Sequence, residues 1–280
     1  MAADSAARRA LKRVLHPLVN ESVYRLIQAV AKAWDIRSGG WYEPEIDLVR
    51  LGARPGETAL DIGANFGVYC YHMDRAVGPT GRVYAFEPVP FTFETLRSVA
   101  RLLRFRNVDL VDKGCSDHTG RVAFRIPVQP SGALSAGLAH LAARNDERAG
   151  KETQVRWDRT TEVWCEVVAL DDFLPGLPGL SFIKCDVEGG ELFALRGARR
   201  LIEAHLPSVL LEINPWYLGG VGVRVEDLTG FFAERGYELY QYDVDGAQRI
   251  LRQCRPGDII ERNYLFLHPR RCDRFAAVLR

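Results

Sequence analysis

Thr58-Ala59-Leu60-Asp61-Ile62-Gly63-Ala64-Asn65-Phe66-Gly67 is the stretch whose reading decides the fold. A short, mostly apolar run closed by glycine reads as a buried strand entering a tight turn. Glycine lets the backbone bend there and lets a ligand approach the main chain closely. Residues 66–77 then read as a helix, so the turn opens onto a helix N-terminus with unpaired N–H groups. Working outward, Arg82–Glu87 is a second strand, Phe91–Leu103 a second helix and Val108–Val111 a third strand. Ser181–Asp186 is a fourth strand, Glu191–Ala204 a helix and Ser208–Ile213 a fifth strand. Glu238–Tyr242 and Tyr264–Leu267 complete the set. Strands alternating with helices at this spacing predict an α/β fold. The expectation is a mainly parallel seven-stranded sheet with helices on both faces.

Two regions fall outside that rhythm. The segment between the third and fourth strands, residues 115–179, is too long for an ordinary connection. Arg121–Ile126 and Glu162–Val168 have strand character and bracket a Gly/Ala/Ser-containing stretch, Ser131–Gly150. The expectation is an insertion that acts as a lid, with a passive surface insertion as the alternative. Residues 1–40 form an expected N-terminal helical cap, ahead of one domain over 41–280. In it, Leu11, Val14, Leu15 and Leu18, then Val23, Leu26, Ile27, Val30 and Trp34, recur at helical spacing. Asn20 is the expected N-cap of the second half. A stripe of this kind packs onto its own domain or lies on a membrane surface; packing is the expectation here.

The chain has 280 residues and a formal net charge of +1, which disfavours a nucleic-acid partner. No apolar stretch is long enough to span a bilayer. The basic N-terminus lacks the uninterrupted apolar run of a secretory signal, so the cytoplasm is the expected location. The six cysteines include no C-x-x-C pair, which removes the usual zinc and redox motifs. Cys115 and Cys185 lie beside the motifs, but core packing is the expectation for all six.

Three motifs carry chemistry. Asp61-Ile62-Gly63-Ala64-Asn65-Phe66-Gly67 lacks the G-x-G-x-x-G spacing of a dinucleotide turn and has an acidic residue before its first glycine. A carboxylate there repels a pyrophosphate but suits a ligand with an ammonium group and no phosphate, as in S-adenosylmethionine. Glu87 ends the second strand, where a carboxylate accepts hydrogen bonds from ribose hydroxyls. Asp186-Val187-Glu188-Gly189-Gly190-Glu191 follows the fourth strand, so Asp186 and Glu188 should face the same cleft. Glu191 is better read as favouring the next helix N-terminus.

Activating a hydroxyl as an acceptor needs a general base or an acidifying metal. Asp186 is the first candidate base and His140, in the insertion, the second; His72 and His205 are further alternatives. Asp186, Glu212 and Asn214 end adjacent strands and form a candidate magnesium site; the alternative is an acidic rim with no ion. Asn214-Pro215-Trp216-Tyr217 resembles an amine-methylation motif but follows the fifth strand, and is read as acceptor wall. The competing functions are a nicotinamide-dependent oxidoreductase, which the missing glycine spacing opposes, and a nucleic-acid methyltransferase, which the charge opposes.

In this order, the motifs resemble the FkbM-type family of S-adenosylmethionine-dependent methyltransferases, class I enzymes with a Rossmann-like fold. The resemblance covers roughly residues 40–215. It rests on Tyr42-Glu43-Pro44, the Asp61–Gly67 turn, Val77-Gly78-Pro79 with Gly81-Arg82-Val83, Phe86-Glu87-Pro88, and Ile183-Lys184-Cys185-Asp186-Val187-Glu188-Gly189 with Glu191. It implies methylation of a hydroxyl on a sugar, polyketide or related metabolite, hence a small-molecule or glycan acceptor. It also implies that Asp61, Gly63, Asn65 and Gly67 line the methionine and ribose side of the cofactor. Glu87 would hold the ribose, and Cys115-Ser116-Asp117 would lie near the adenine. Glu43 and Asp186 join the cofactor-binding set on the same ground. Oligomeric state is not legible.

Overall fold

The computed structural model describes residues 19–129, 132–145, 159–246 and 248–280. Helix α1 (Glu21–Ser38) begins where expected, with Asn20 accepting the Val23 N–H at 2.9 Å. Helix α2 (Ile46–Gly52) precedes β1 (Thr58–Ile62), α3 (Val68–Val77), β2 (Arg82–Phe86), α4 (Pro90–Leu103) and β3 (Val108–Val111). The insertion supplies β4 (Gly114–Cys115), β5 (Gly120–Pro127), β6 (His140–Leu141) and β7 (Thr160–Val168). Then come α5 (Leu170–Phe173), β8 (Leu180–Cys185), α6 (Glu191–Gly197), α7 (Arg199–His205) and β9 (Ser208–Ile213). Helices α8 (Pro215–Gly220) and α9 (Val225–Ala233) and strands β10 (Glu238–Asp245), β11 (Gln248–Gln253) and β12 (Arg262–Leu267) follow.

The main sheet has the order β11-β10-β12-β9-β8-β1-β2-β3. Strands β3, β2, β1, β8 and β9 are parallel. β12 runs antiparallel to β9 and β10, and β10 antiparallel to β11. The sheet is therefore mixed and eight-stranded, not the expected mainly parallel seven. β11 escaped the sequence reading because Gln248, Arg249, Arg252 and Gln253 sit on a sheet edge. Only Ile250 and Leu251 are buried in it, so no apolar period marks it.

Helices cover both faces, as expected. Leu60, Ile62 and Ile183 face Leu195, Ile202 and Phe232 on one side. Ala59, Val83 and Phe182 face Leu48, Met73 and Val99 on the other. β1 is buried along its whole length, between β2 and β8. The chain leaves β1 toward β2 and β3, then returns to add β8 and β9 on the opposite side. The carboxyl ends of β1 and its neighbours thus border the crevice where ligands bind in such sheets.

The two strands expected in the insertion are present and pair antiparallel from Gly120↔Val167 to Pro127↔Thr160. With β4 and β6 they make a second sheet of four strands, in the order β4-β7-β5-β6. The helix expected over Glu191–Ala204 is split at Ala198. The α6 end packs so tightly that a Cβ on Gly197 would lie 1.9 Å from the Ser116 carbonyl oxygen.

Helix α1 corrects the cap expectation in one respect. Its buried residues are Tyr24, Ala29, Ala33, Asp35 and Ile36, while Val23, Leu26, Ile27, Val30 and Trp34 are exposed. Small alanines let α1 approach α4 closely, and the Tyr24 ring packs 6.4 Å from that of Phe91. The larger residues therefore face outward. Leu11, Val14, Leu15 and Leu18 lie outside the described residues.

Candidate active site

The turn after β1 is held by backbone bonds. The Gly63 and Ala64 N–H groups both donate to the Phe86 carbonyl, at 3.0 and 2.9 Å. Gly63 has φ +82, and a Cβ there would lie 1.9 Å from the Asp186 carbonyl oxygen. Only glycine allows the two strand-end turns to meet this closely. Asn65 also adopts a left-handed conformation, φ 48. Its N–H donates to Glu87 Oε2 at 3.0 Å, and Glu87 Oε1 accepts the Val89 N–H at 3.0 Å. Glu87 thus ties the first turn to the start of α4. The Asn65 side-chain oxygen is buried without a hydrogen-bond partner.

The turn after β8 comes in from the other side. The Asp186 N–H donates to the Ile62 carbonyl at 3.0 Å. Glu188 has φ 55, in the left-handed region that non-glycine residues seldom adopt. Glu191 Oε1 accepts the Val187 and Gly189 N–H groups, each at 3.1 Å. This satisfies the turn and bears out the structural role read for Glu191.

These turns border one cleft, walled by Gly63, Asn65, Glu87, Asp186 and Glu188, with Phe124, Gly137 and Ala139 from the insertion. A second hollow adjoins it, sharing Gly63, Pro88, Phe124 and Val187. Its wall is mainly apolar and includes Cys115, Ser116, Val122 and Phe193. A polar cleft beside an apolar hollow could hold a ligand with one polar and one apolar end. The partnerless Asn65 oxygen and the space beside Gly63 suit the polar end.

Electrostatics divide the carboxyl groups. Burial pushes Glu87 from 4.5 up to about 7, its backbone hydrogen bonds opposing only in part. Asp61 is pushed up to about 6 by burial, against the Cys70 thiol that donates to its Oδ2 at 2.9 Å. Asp186 goes the other way. Burial disfavours its charge, but the Lys184 ammonium, 3.4 Å away, holds it below the usual aspartate range. The Asp186 charge in turn raises Glu212, so Asp186 is the ionised member of that pair. Lys184 is 2% exposed, donates to Asn263 Oδ1 at 3.1 Å and sits 5.1 Å above the Tyr69 ring. Burial works against its charge, yet Asp186, Glu212 and Glu43 keep it protonated. The sequence reading gave Lys184 no role. Its signal was a lysine inside an otherwise buried strand, Leu180–Cys185.

Several expected site residues stand outside the cleft wall. Asp61 is buried beneath the turn, 1% exposed. Gly67 opens α3 with φ +87 and packs against Leu96, a structural position. Glu43 accepts from the Trp41 indole at 3.2 Å and the Tyr69 hydroxyl at 2.7 Å. Cys115 and Ser116 do line the apolar hollow, but Asp117 turns away to His118 Nδ1 at 2.8 Å. His140 is 3% exposed, its Nδ1 is 3.1 Å from the Leu138 carbonyl, and it is not in the cleft wall. Cys185 and Cys115 are thiols that burial keeps protonated.

The expected magnesium set of Asp186, Glu212 and Asn214 finds no support, since Asn214 is engaged elsewhere. Asn214 Oδ1 accepts the Trp216 and Tyr217 N–H groups at 3.0 and 3.3 Å, capping α8. The Lys184 ammonium lies 3.4 Å from Asp186. Among the described residues no cluster of three His, Cys, Asp or Glu side chains could hold a metal.

Comparison with known proteins identifies the family. The model of the FkbM methyltransferase domain matches residues 61–239. The chain is 26% identical over 209 residues to the methyltransferase sdnD of Sordaria araneosa, covering 69% of this chain and 77% of that protein. It is 28% identical over 180 residues to the 31-O-demethyl-FK506 methyltransferase FkbM of Streptomyces tacrolimicus, covering 58% and 66%. It is 24% identical over 216 residues to the hexuronic acid methyltransferase AglP of Haloferax volcanii, covering 74% of each. A crystal structure of a methyltransferase FkbM from Methylobacillus flagellatus overlays with a TM-score of 0.45 at 20% identity, covering 86% of this chain and 54% of that one. The family model's match over residues 61–239 opposes the nicotinamide reading, and the chain belongs to the FkbM-domain family of S-adenosylmethionine-dependent methyltransferases.

Proposed function

We propose that this protein transfers a methyl group from S-adenosylmethionine to a hydroxyl oxygen of a small-molecule or glycan acceptor. The observation that carries this reading is the meeting of Gly63, Asn65, Glu87, Asp186 and Glu188 in one cleft beside an apolar hollow. When bound, the cofactor supplies an electrophilic methyl carbon on a sulfonium. Glu87 accepts the ribose hydroxyls, the hollow at Cys115 and Phe193 takes the adenine, and Gly63 and Asn65 border the methionine. Phe124, Gly137 and Ala139 lie over the cleft from the insertion, which acts as a lid that excludes water. The acceptor oxygen lies beside Asp186, whose carboxylate takes the hydroxyl proton as the oxygen bonds to the methyl carbon and the carbon–sulfur bond breaks. Two relatives support oxygen as the acceptor atom, the one that methylates 31-O-demethyl-FK506 and the one that methylates a hexuronic acid.

The reading is tested by calorimetry with S-adenosylmethionine and NAD, and by labelled methyl transfer to a panel of sugars, glycolipids and polyketides. It expects binding of the first only and label in an acceptor. Binding of NAD alone overturns it.

A pH dependence follows from Glu87. Its raised pKa means that the folded state holds this proton more tightly than the unfolded chain. The stability it contributes is full below about 4.5 and is lost as pH rises through about 7. Cofactor binding has the opposite sense, because ribose hydroxyls donate to the ionised form. S-adenosylmethionine affinity should rise about tenfold between about pH 6 and pH 8, and Glu87→Gln should weaken binding and flatten the profile. An unchanged profile in the variant would remove Glu87 from this role.

A further inference from the structure

We infer that the outer face of α1 docks the protein onto an anionic lipid bilayer surface. Val23, Leu26, Ile27, Val30 and Trp34 are 42%, 55%, 38%, 52% and 70% exposed. Their spacing puts them on one face of the helix, a stripe about 16 Å long. The opposite face is packed against α4 through Tyr24, Ala29 and Ala33, so the helix cannot turn its stripe inward without losing those contacts. A single exposed leucine is ordinary, but five large apolar side chains in one row mark an interaction surface. Trp34, at the end of the row, is of the type that sits at membrane–water boundaries. No helix of the described residues is long and apolar enough to cross a bilayer, so the helix would lie in the surface plane.

Charge selects the occupant. Residues 1–40 carry seven Lys or Arg and three Asp or Glu, a net charge of +4. The remaining 240 residues carry 30 and 33, a net charge of −3. The excess includes Arg8, Arg9, Lys12 and Arg13 upstream of α1, and Arg37 at its last turn. An anionic surface attracts this end of the molecule and repels the rest, which orients the docked protein. A second copy, the rival occupant, would bring together two N-terminal segments that each carry a net charge of +4. Helix α1 also holds Lys32 5.0 Å from the Phe66 ring in the glycine turn, so a docked molecule keeps the cleft near the bilayer. This inference stands apart from the choice of methyl acceptor.

The experiment is co-sedimentation of the full chain with vesicles of phosphatidylcholine alone or mixed with phosphatidylglycerol, beside sedimentation velocity without lipid. Binding should be about tenfold stronger to the anionic vesicles and should weaken as salt is raised. Val30→Glu with Trp34→Glu should abolish it, with melting temperature and S-adenosylmethionine affinity unchanged. Ile260→Glu, at an apolar residue 64% exposed elsewhere, should leave it unchanged. Equal binding by the double variant, no binding to either vesicle, or a dimer that the double variant dissociates would each overturn the inference.

Discussion

Asp186→Asn should lower turnover by about a hundredfold or more, roughly 2.7 kcal/mol at the transition state, while S-adenosylmethionine affinity stays within about twofold. Asparagine keeps the shape of the side chain and its reach into the cleft. It cannot take the proton released as the acceptor oxygen is methylated. The wild-type carboxylate is ready for that task because Lys184, 3.4 Å away, keeps it ionised. Losing the carboxylate leaves Lys184 facing Glu43 and Glu212 with its hydrogen bond to Asn263 intact, so the buried ammonium is not stranded. Single-turnover transfer of labelled methyl and calorimetry measure the two quantities separately. Unchanged turnover would remove Asp186 from the mechanism. A parallel loss of binding would make it a cofactor-holding residue instead.

Gly63→Ala should abolish S-adenosylmethionine binding and cost about 2–4 kcal/mol of stability. The added methyl would lie 1.9 Å from the Asp186 carbonyl oxygen, and the residue would have to keep φ +82. A flexible side chain could move aside, but this neighbour is main chain, tied by the Asp186 N–H to Ile62. Relief requires the β1 and β8 turns to part, which dismantles the cleft wall both turns share. Losses of this size matter against a typical stability of about 5–15 kcal/mol. Chemical denaturation reads the first effect and calorimetry the second. A variant that folds and binds like the parent would show that the two turns are not held in contact.

Among local features, the helix cap at Asn20, the extra strands of the insertion and the role of Glu191 were legible because each depends on near neighbours in the chain. Periodicity misled at α1. Val23, Leu26, Ile27, Val30 and Trp34 have the spacing of a core-facing stripe, yet the small residues Ala29 and Ala33 make the contact with α4. Spacing shows that a helix has two faces, but which face packs depends on the surface it meets. β11 was missed for a related reason, since an edge strand needs few apolar residues to pair.

The amino-acid sequence by itself determined the alternation of strands and helices, the glycine turn at Gly63 and the carboxylates at strand ends. These follow from hydrophobic period, from backbone freedom and from the rule that sheet ligands bind beyond strand C-termini. Only the tertiary structure decided which of those groups meet. It put Glu87 and Asp186 in one cleft and left Asp61 beneath it. It buried His140, paired Asp117 with His118, committed Asn214 to capping α8, and set the Lys184 ammonium 3.4 Å from Asp186. The reason is physical. A side chain's charge state and reach depend on what surrounds it after packing, and residues as distant in sequence as Lys184 and Asn263 become neighbours only when the sheet forms.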